Sequence, residues 1–184
     1  MRKIALLSIL LVLVGVSAFA ETPANYVVLK LGGYLPQAND VEDFDNSFYG
    51  ELAYGRYFHP NIAAEFGIGY TKSSGSGPAD GVDLTIMPFT AAVKGVLPMG
   101  NFEPFATLGL GAFWAKAEGT DLVGSFDETD TVFGYFAGLG ANYNFTGNMF
   151  LGVEGRYFFA EPSFGTEDVK IDGINLTANL GFRF

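Results

Sequence analysis

From Ile174 to Phe184 every second residue is apolar: Ile174, Leu176, Ala178, Leu180, Phe182 and Phe184. Between them stand Asn175, Thr177, Asn179, Gly181 and Arg183. Side chains of an extended chain alternate between two faces, so this stretch reads as a strand with one greasy and one polar side. Seven earlier segments carry the same period. Their apolar sets are Val27, Leu29, Leu31 and Leu35; Phe48, Leu52 and Tyr54; Ile62, Ala64, Phe66, Ile68 and Tyr70; Val82, Leu84 and Ile86, then Phe89, Ala91 and Val93; Ala106, Leu108, Leu110, Ala112 and Trp114; Phe133, Tyr135, Ala137, Leu139, Ala141, Tyr143 and Phe145; and Leu151, Val153, Tyr157 and Phe159. The fourth changes phase at Met87–Pro88. Proline cannot donate to a strand ladder, so a bulge is expected there. Each segment runs about nine to fifteen residues, enough to cross a bilayer as a tilted strand.

The connections between these segments alternate in length. Residues 59–61, 98–102 and 146–148 form short ones, and about 36–46, 72–81, 116–130 and 160–172 form long ones. Transmembrane barrels show this asymmetry, with tight turns on the periplasmic side and longer loops outside. The fold expected is all-β, an eight-stranded antiparallel up-and-down transmembrane barrel with both ends on the short-turn side.

In such a barrel the polar face points inward. Lys30, Glu51, Glu65, Lys94, Glu154, Arg156 and Arg183 all fall on it. Charges of mixed sign facing inward must pair or meet water, so an interior charge network is expected. Glycines 67, 69, 109, 111, 138 and 140 share that face and leave room for long side chains. Arg56 is the exception: alternation points it outward, beside the short turn at 59–61, where it can snorkel to the interface.

Composition narrows the compartment. The chain is 49% hydrophobic, yet after residue 20 no apolar run is long enough for a transmembrane helix. Arg2 and Lys3 precede an apolar run that ends in Ala18, Phe19 and Ala20. This pattern predicts a signal peptide over 1–20, cleaved before Glu21, and a barrel domain over 21–184. There is no cysteine, so a lipid anchor on a cysteine, disulfides and thiolate chemistry are all excluded.

These features resemble the OmpA/OmpX-like small outer-membrane barrels of Gram-negative bacteria. The resemblance covers the mature chain and rests on the eight-strand rhythm, "LGVEGRYFF" at 151–159 and the terminal "LGFRF". It implies location in the outer membrane. It also implies that Leu180, Phe182 and Phe184 form a signal read by the barrel-assembly machinery. The same barrel hosts adhesins, tethers, pores and lipid-modifying enzymes, so activity does not follow from it. The peptidoglycan-binding domain of the tethering members is not expected here.

Candidate chemistry is sparse. The one histidine, His59, precedes Pro60 in a short turn and reads as a turn residue rather than a general base. Glu154 and Arg156 read as a structural ion pair, and the Gly-x-Gly runs lack the strand-to-helix context of a nucleotide site. No catalytic residue, cofactor or defined metal site is expected. Fifteen of the twenty acidic residues lie in or beside the long connections: Asp40, Glu42, Asp43, Asp45, Asp80, Asp83, Glu118, Asp121, Asp127, Glu128, Asp130, Glu161, Glu167, Asp168 and Asp172. Only Lys72, Lys116 and Lys170 oppose them. Such a crown reads first as a solvated, aggregation-resistant surface. The functional alternative is a cation-attracting crown that faces lipopolysaccharide phosphates through divalent Mg²⁺ or Ca²⁺. Nucleic acid is not an expected partner.

The expected function is a monomeric structural or surface-interaction protein of the outer membrane, in contact with its lipid and lipopolysaccharide. The alternatives are a narrow porin-like channel, a soluble lipocalin-type barrel with its apolar face inside, or a lipid-modifying enzyme.

Overall fold

The structure, a computed structural model, describes residues 25–36, 47–74, 82–121, 124–159, 163–164, 167–168 and 172–184. The proposed leader, with Ala18, Ala20 and Glu21, lies outside them. So does much of the acidic crown, including Asp40, Glu42, Asp43, Asp45, Asp80 and Glu161.

Eight strands close into one barrel: β1 (Asn25–Pro36), β2 (Ser47–His59), β3 (Ile62–Ser74), β4 (Val82–Val96), β5 (Phe102–Asp121), β6 (Gly124–Asn144), β7 (Met149–Phe159) and β10 (Gly173–Arg183). β8 (Ser163–Phe164) and β9 (Glu167–Asp168) form a separate two-stranded ribbon between β7 and β10. Every pairing is antiparallel between chain neighbours, and β1 closes on β10. The seam is tied at its end, where Asn25 and Phe184 exchange backbone hydrogen bonds of 3.1 and 2.9 Å. Closure removes sheet edges, which in lipid would leave backbone groups unpaired.

The register sets the tilt. Stepping from partner to partner around the barrel leads from Tyr26 through Gly55, Glu65, Ala92, Gly109, Phe136, Phe158 and Gly173 back to β1 at Pro36, and 36 − 26 = 10 residues of shear. Eight strands with this stagger lean well away from the barrel axis and enclose an interior that side chains can fill.

The greasy face is outside. Leu108 and Leu110 are 68% and 69% exposed, and Leu52, Ile68, Val93, Leu139 and Val153 share their band. Aromatic rings flank it. Phe102, Tyr143, Phe145, Phe182 and Phe184 lie toward the short turns, and Phe48, Tyr70, Phe133 and Tyr135 toward the long connections. A lipocalin-type barrel would have this polarity reversed. Arg56 is half-buried, on the face that carries Leu52 and Tyr54.

Two sequence expectations need correction. No register shift lies at Met87–Pro88: Ile68 pairs with Phe89 and Thr71 with Ile86 in the same register, the β3–β4 ladder opening only where Gly69 and Tyr70 face Pro88 and Met87, and β4 pairs β5 continuously through Pro88. Leu84 and Ile86 therefore point inward and are buried. The phase change arose because the interior itself turns apolar toward the long connections. The register shift that does occur lies at the short-turn end of the β2–β3 pair, between Tyr57 and His59. The second correction concerns 116–130, of which residues 116–121 and 124–130 are strand rather than loop. β5 and β6, at 20 and 21 residues, continue as a paired ribbon up to Asp121 and Gly124.

Candidate functional site: an enclosed charge network

Six ionisable residues meet in the middle of the barrel. Lys30 comes from β1, Glu51 from β2, Glu65 from β3, Lys94 from β4, and Glu154 and Arg156 from β7. Each is at most 3% exposed. Strand alternation places them: each lies an even number of residues from other inward positions of its strand, and glycines opposite keep the space open. At Gly67 a Cβ would stand 3.0 Å from the Glu51 carboxylate, and at Gly138 one would stand 2.8 Å from Arg156 Cγ.

The network is balanced, with three carboxylates against three cations. Arg156 touches all three carboxylates: Nε donates to Glu154 Oε1 at 2.7 Å, Nη1 to Glu51 at 3.0 Å, and Nη2 to Glu65 Oε1 at 2.8 Å. Lys30 does the same, with Nζ 2.9 Å from Glu154, 3.2 Å from Glu51 and bonded to Glu65. Lys94 lies 3.6 Å from Glu65 and 3.8 Å above the Phe105 ring. Neutral donors fill further carboxylate lone pairs. Tyr26 donates to Glu65 at 2.7 Å, Tyr49 to Glu51 at 2.6 Å and Thr107 to Glu154 at 3.2 Å. A buried ion cluster is tolerable only with this degree of pairing and hydrogen bonding.

Apolar layers cover it at both ends. Toward the short turns Tyr26, Val28, Ala53, Ala63 and Phe150 pack together, with Tyr57 against them. Toward the long connections Leu84, Ile86, Phe113, Phe136 and Phe158 form a second cluster. Beside it is a cavity of about 20 Å³ lined by Tyr34, Tyr49, Thr71, Ile86, Pro88, Phe113, Phe158 and Asn175, room for roughly one water.

Arg183, grouped with the interior charges by the sequence pattern, does not join them. It lies at the short-turn rim, donating to Glu103 at 2.5 Å and to Asn144 at 2.7 Å, with its guanidinium 4.9 Å from the Phe150 ring centre. Sequence reasoning missed Glu103, Tyr26, Tyr49 and Thr107. Each has the inward parity of its strand, and that signal could have found them. His59 is exposed at the end of β2, where its Nδ1 accepts the Asn61 N–H at 3.2 Å. Among the described residues no group of three or more His, Asp or Glu could hold a metal ion. Leu180, Phe182 and Phe184 face outward, and the rings of Phe182 and Phe184 stack with centres 6.4 Å apart.

A closed barrel whose outer face is an apolar band between aromatic girdles, and whose interior is polar and charged, is a transmembrane β-barrel. The chain belongs to the outer membrane protein beta-barrel domain family, whose sequence model matches residues 6–184. Its fold is similar to that of Neisserial surface protein A (TM-score 0.68, 18% identity, 87% of this chain and 97% of that one). It is also similar to the outer membrane protein OprG from Pseudomonas aeruginosa (0.60, 17%, 89% and 97%). A third similar structure is Ail, the attachment invasion locus protein of Yersinia pestis, in complex with the heparin analogue sucrose octasulfate (0.59, 15%, 89% and 99%). No curated protein matches the chain in sequence.

Proposed function

We propose that this barrel is a non-catalytic, non-conducting protein of the Gram-negative outer membrane, a rigid scaffold that presents acidic loops at the cell surface. On this reading the leader 1–20 directs export and is removed before Glu21, and the barrel works as a monomer in contact with outer-membrane lipid and lipopolysaccharide. The observation that carries the non-conducting reading is the charge network enclosed between two apolar layers, because an open pore needs its charges in water. The absence of an enzymatic role is supported by the position of His59 in a short turn, away from any carboxylate partner among the described contacts.

Ail shares this fold and was crystallised with a sulfated ligand. The net charge of −10 and the carboxylates of the long connections favour the opposite preference here, for divalent cations or basic partners.

The test is reconstitution of the folded barrel into planar bilayers, where no stable conductance steps are expected. Steps on the scale of a general porin would overturn the reading. The terminal aromatics are proposed as the feature read by the assembly machinery. Deleting Phe184 should strongly lower the amount of heat-modifiable, folded barrel in outer-membrane fractions, and Phe184→Tyr should restore most of it. Unchanged amounts from the deletion would reduce Phe184 to a packing role.

A further inference from the structure

The ten Lys and Arg residues divide by place. Arg2 and Lys3 belong to the proposed leader, Lys30, Lys94 and Arg156 to the interior network, and Arg56 and Arg183 to the short-turn end. That leaves Lys72, Lys116 and Lys170 at the long-connection end, and Lys170 lies outside the described residues. Lys72 and Lys116 are not scattered. Lys72 pairs with Thr85 across β3–β4, and Thr85 pairs with Lys116 across β4–β5, so the three form one transverse row on neighbouring strands. The row has the outward parity of Tyr70 on β3 and Trp114 on β5, and each lysine stands two residues beyond its aromatic neighbour, away from the short turns.

That position fixes what the row meets. The aromatic girdle marks the level of the lipid headgroups, so cations just beyond it on the outward face stand among headgroup phosphates. Two strand spacings separate the lysine backbones by about 10 Å. A lysine side chain extends about 6 Å, so both ammonium groups can converge on one headgroup, with the Thr85 hydroxyl between them as a further donor. The Lys72 ammonium pairs with Asp83 at 2.7 Å, and both side chains are at least 40% exposed. A solvent-open pair of this kind exchanges partners at little cost.

We propose that the Lys72–Thr85–Lys116 row binds the phosphate-monoester headgroup of an anionic lipid in the leaflet on the long-connection side. The proposal rests on the outer-membrane reading and adds a lipid preference confined to one sector of the wall.

The chain supplies its own probe. Trp114 is the sole tryptophan and lies on β5 two residues from Lys116. The folded protein is placed in phosphatidylcholine vesicles, and Trp114 fluorescence is followed as brominated phosphatidic acid or brominated phosphatidylcholine replaces the unlabelled lipid. Brominated phosphatidic acid should reach half-quenching at a lower mole fraction, by about fivefold for each lysine engaged. Lys72→Gln and Lys116→Gln should each shrink the preference, and the double variant should remove it while heat-modifiable mobility stays normal. Equal quenching by the two lipids in the unmodified protein would overturn the proposal. A preference abolished by inorganic phosphate, but not by sodium chloride of equal ionic strength, would overturn it too, because the ligand would then be free phosphate. Quenching by neither lipid would show that this wall does not face a bilayer, and would remove the outer-membrane reading along with the site.

Discussion

Two ion pairs in this molecule have the same length and opposite surroundings. Arg156 Nε lies 2.7 Å from Glu154, and Lys72 Nζ lies 2.7 Å from Asp83. The first is enclosed with four further charges between apolar layers, and its side chains are 3% and 0% exposed. The second stands on the outer wall at 45% and 40%. Distance alone would rate them equal. The low-dielectric interior strengthens attraction and makes any loss of balance costly, whereas water and salt screen the outer pair. Arg183 with Glu103, at 2.5 Å and 12% and 11% exposed, lies between these extremes. The three sites form a series in which geometry is nearly constant and burial varies.

The largest effect is expected at the enclosed end. Arg156→Leu removes the one group that touches all three carboxylates through separate nitrogens and leaves two cations against three anions. Breaking a buried pair in this way costs about 3–5 kcal/mol. Urea unfolding of the barrel in detergent reads it directly. Adding Glu154→Gln should recover part of the loss by restoring the balance of two against two. A cost near zero for Arg156→Leu would mean that water reaches the network, and the closed interior proposed above would fail with it.

The barrel could be read from the sequence because one physical constraint, lipid outside and polar side chains inside, repeats over all eight strands. Parity put Lys30, Glu51, Glu65, Lys94, Glu154 and Arg156 on the inward face. What parity could not supply was the vertical position along the barrel. Arg183 shares the inward face of β10 with Asn179 and Thr177, yet it sits at the rim, where Glu103 and not Glu154 is within reach. The same gap produced the error at Leu84 and Ile86. An inward apolar residue contradicts the polar-inside rule unless the interior is known to be layered, and the layering comes from strands distant in sequence, through Phe113, Phe136 and Phe158. The ribbon over 116–121 and 124–130 was hidden because its acidic, glycine-containing sequence resembles a loop, and the pairing of β5 with β6 overrides that local preference.

The middle of the series predicts a middle effect. Arg183→Gln removes the charge facing Glu103, while Asn144 still donates to the Glu103 carboxylate at 2.8 Å and the site is partly open to solvent. The expected loss is about 1–2 kcal/mol in the same urea experiment, below that of Arg156→Leu. A loss as large as the interior one would place the rim in the same enclosed environment and break the series.

The smallest effect belongs to the outer pair, and it is visible only in a titration. Beyond the aromatic girdle, hydrogen bonds from the Lys72 ammonium and then from the Ser74 hydroxyl, which donates at 2.9 Å, hold the Asp83 carboxyl below its ordinary range. A carboxyl whose folded pKa is depressed adds stability above its unfolded value and loses it as the pH falls through the folded one. In Lys72→Gln the carboxyl should therefore titrate nearer the ordinary range, because the larger of the two bonds is gone and only Ser74 remains. Carbon-detected NMR of the Asp83 carboxyl follows this shift. The urea midpoint at neutral pH should be unchanged within error, since water takes over the role of the ammonium at so exposed a position. An Asp83 titration that does not move on loss of Lys72 would show that the pair does not persist in solution. A midpoint that falls as far as in Arg183→Gln would show that burial does not order these three sites.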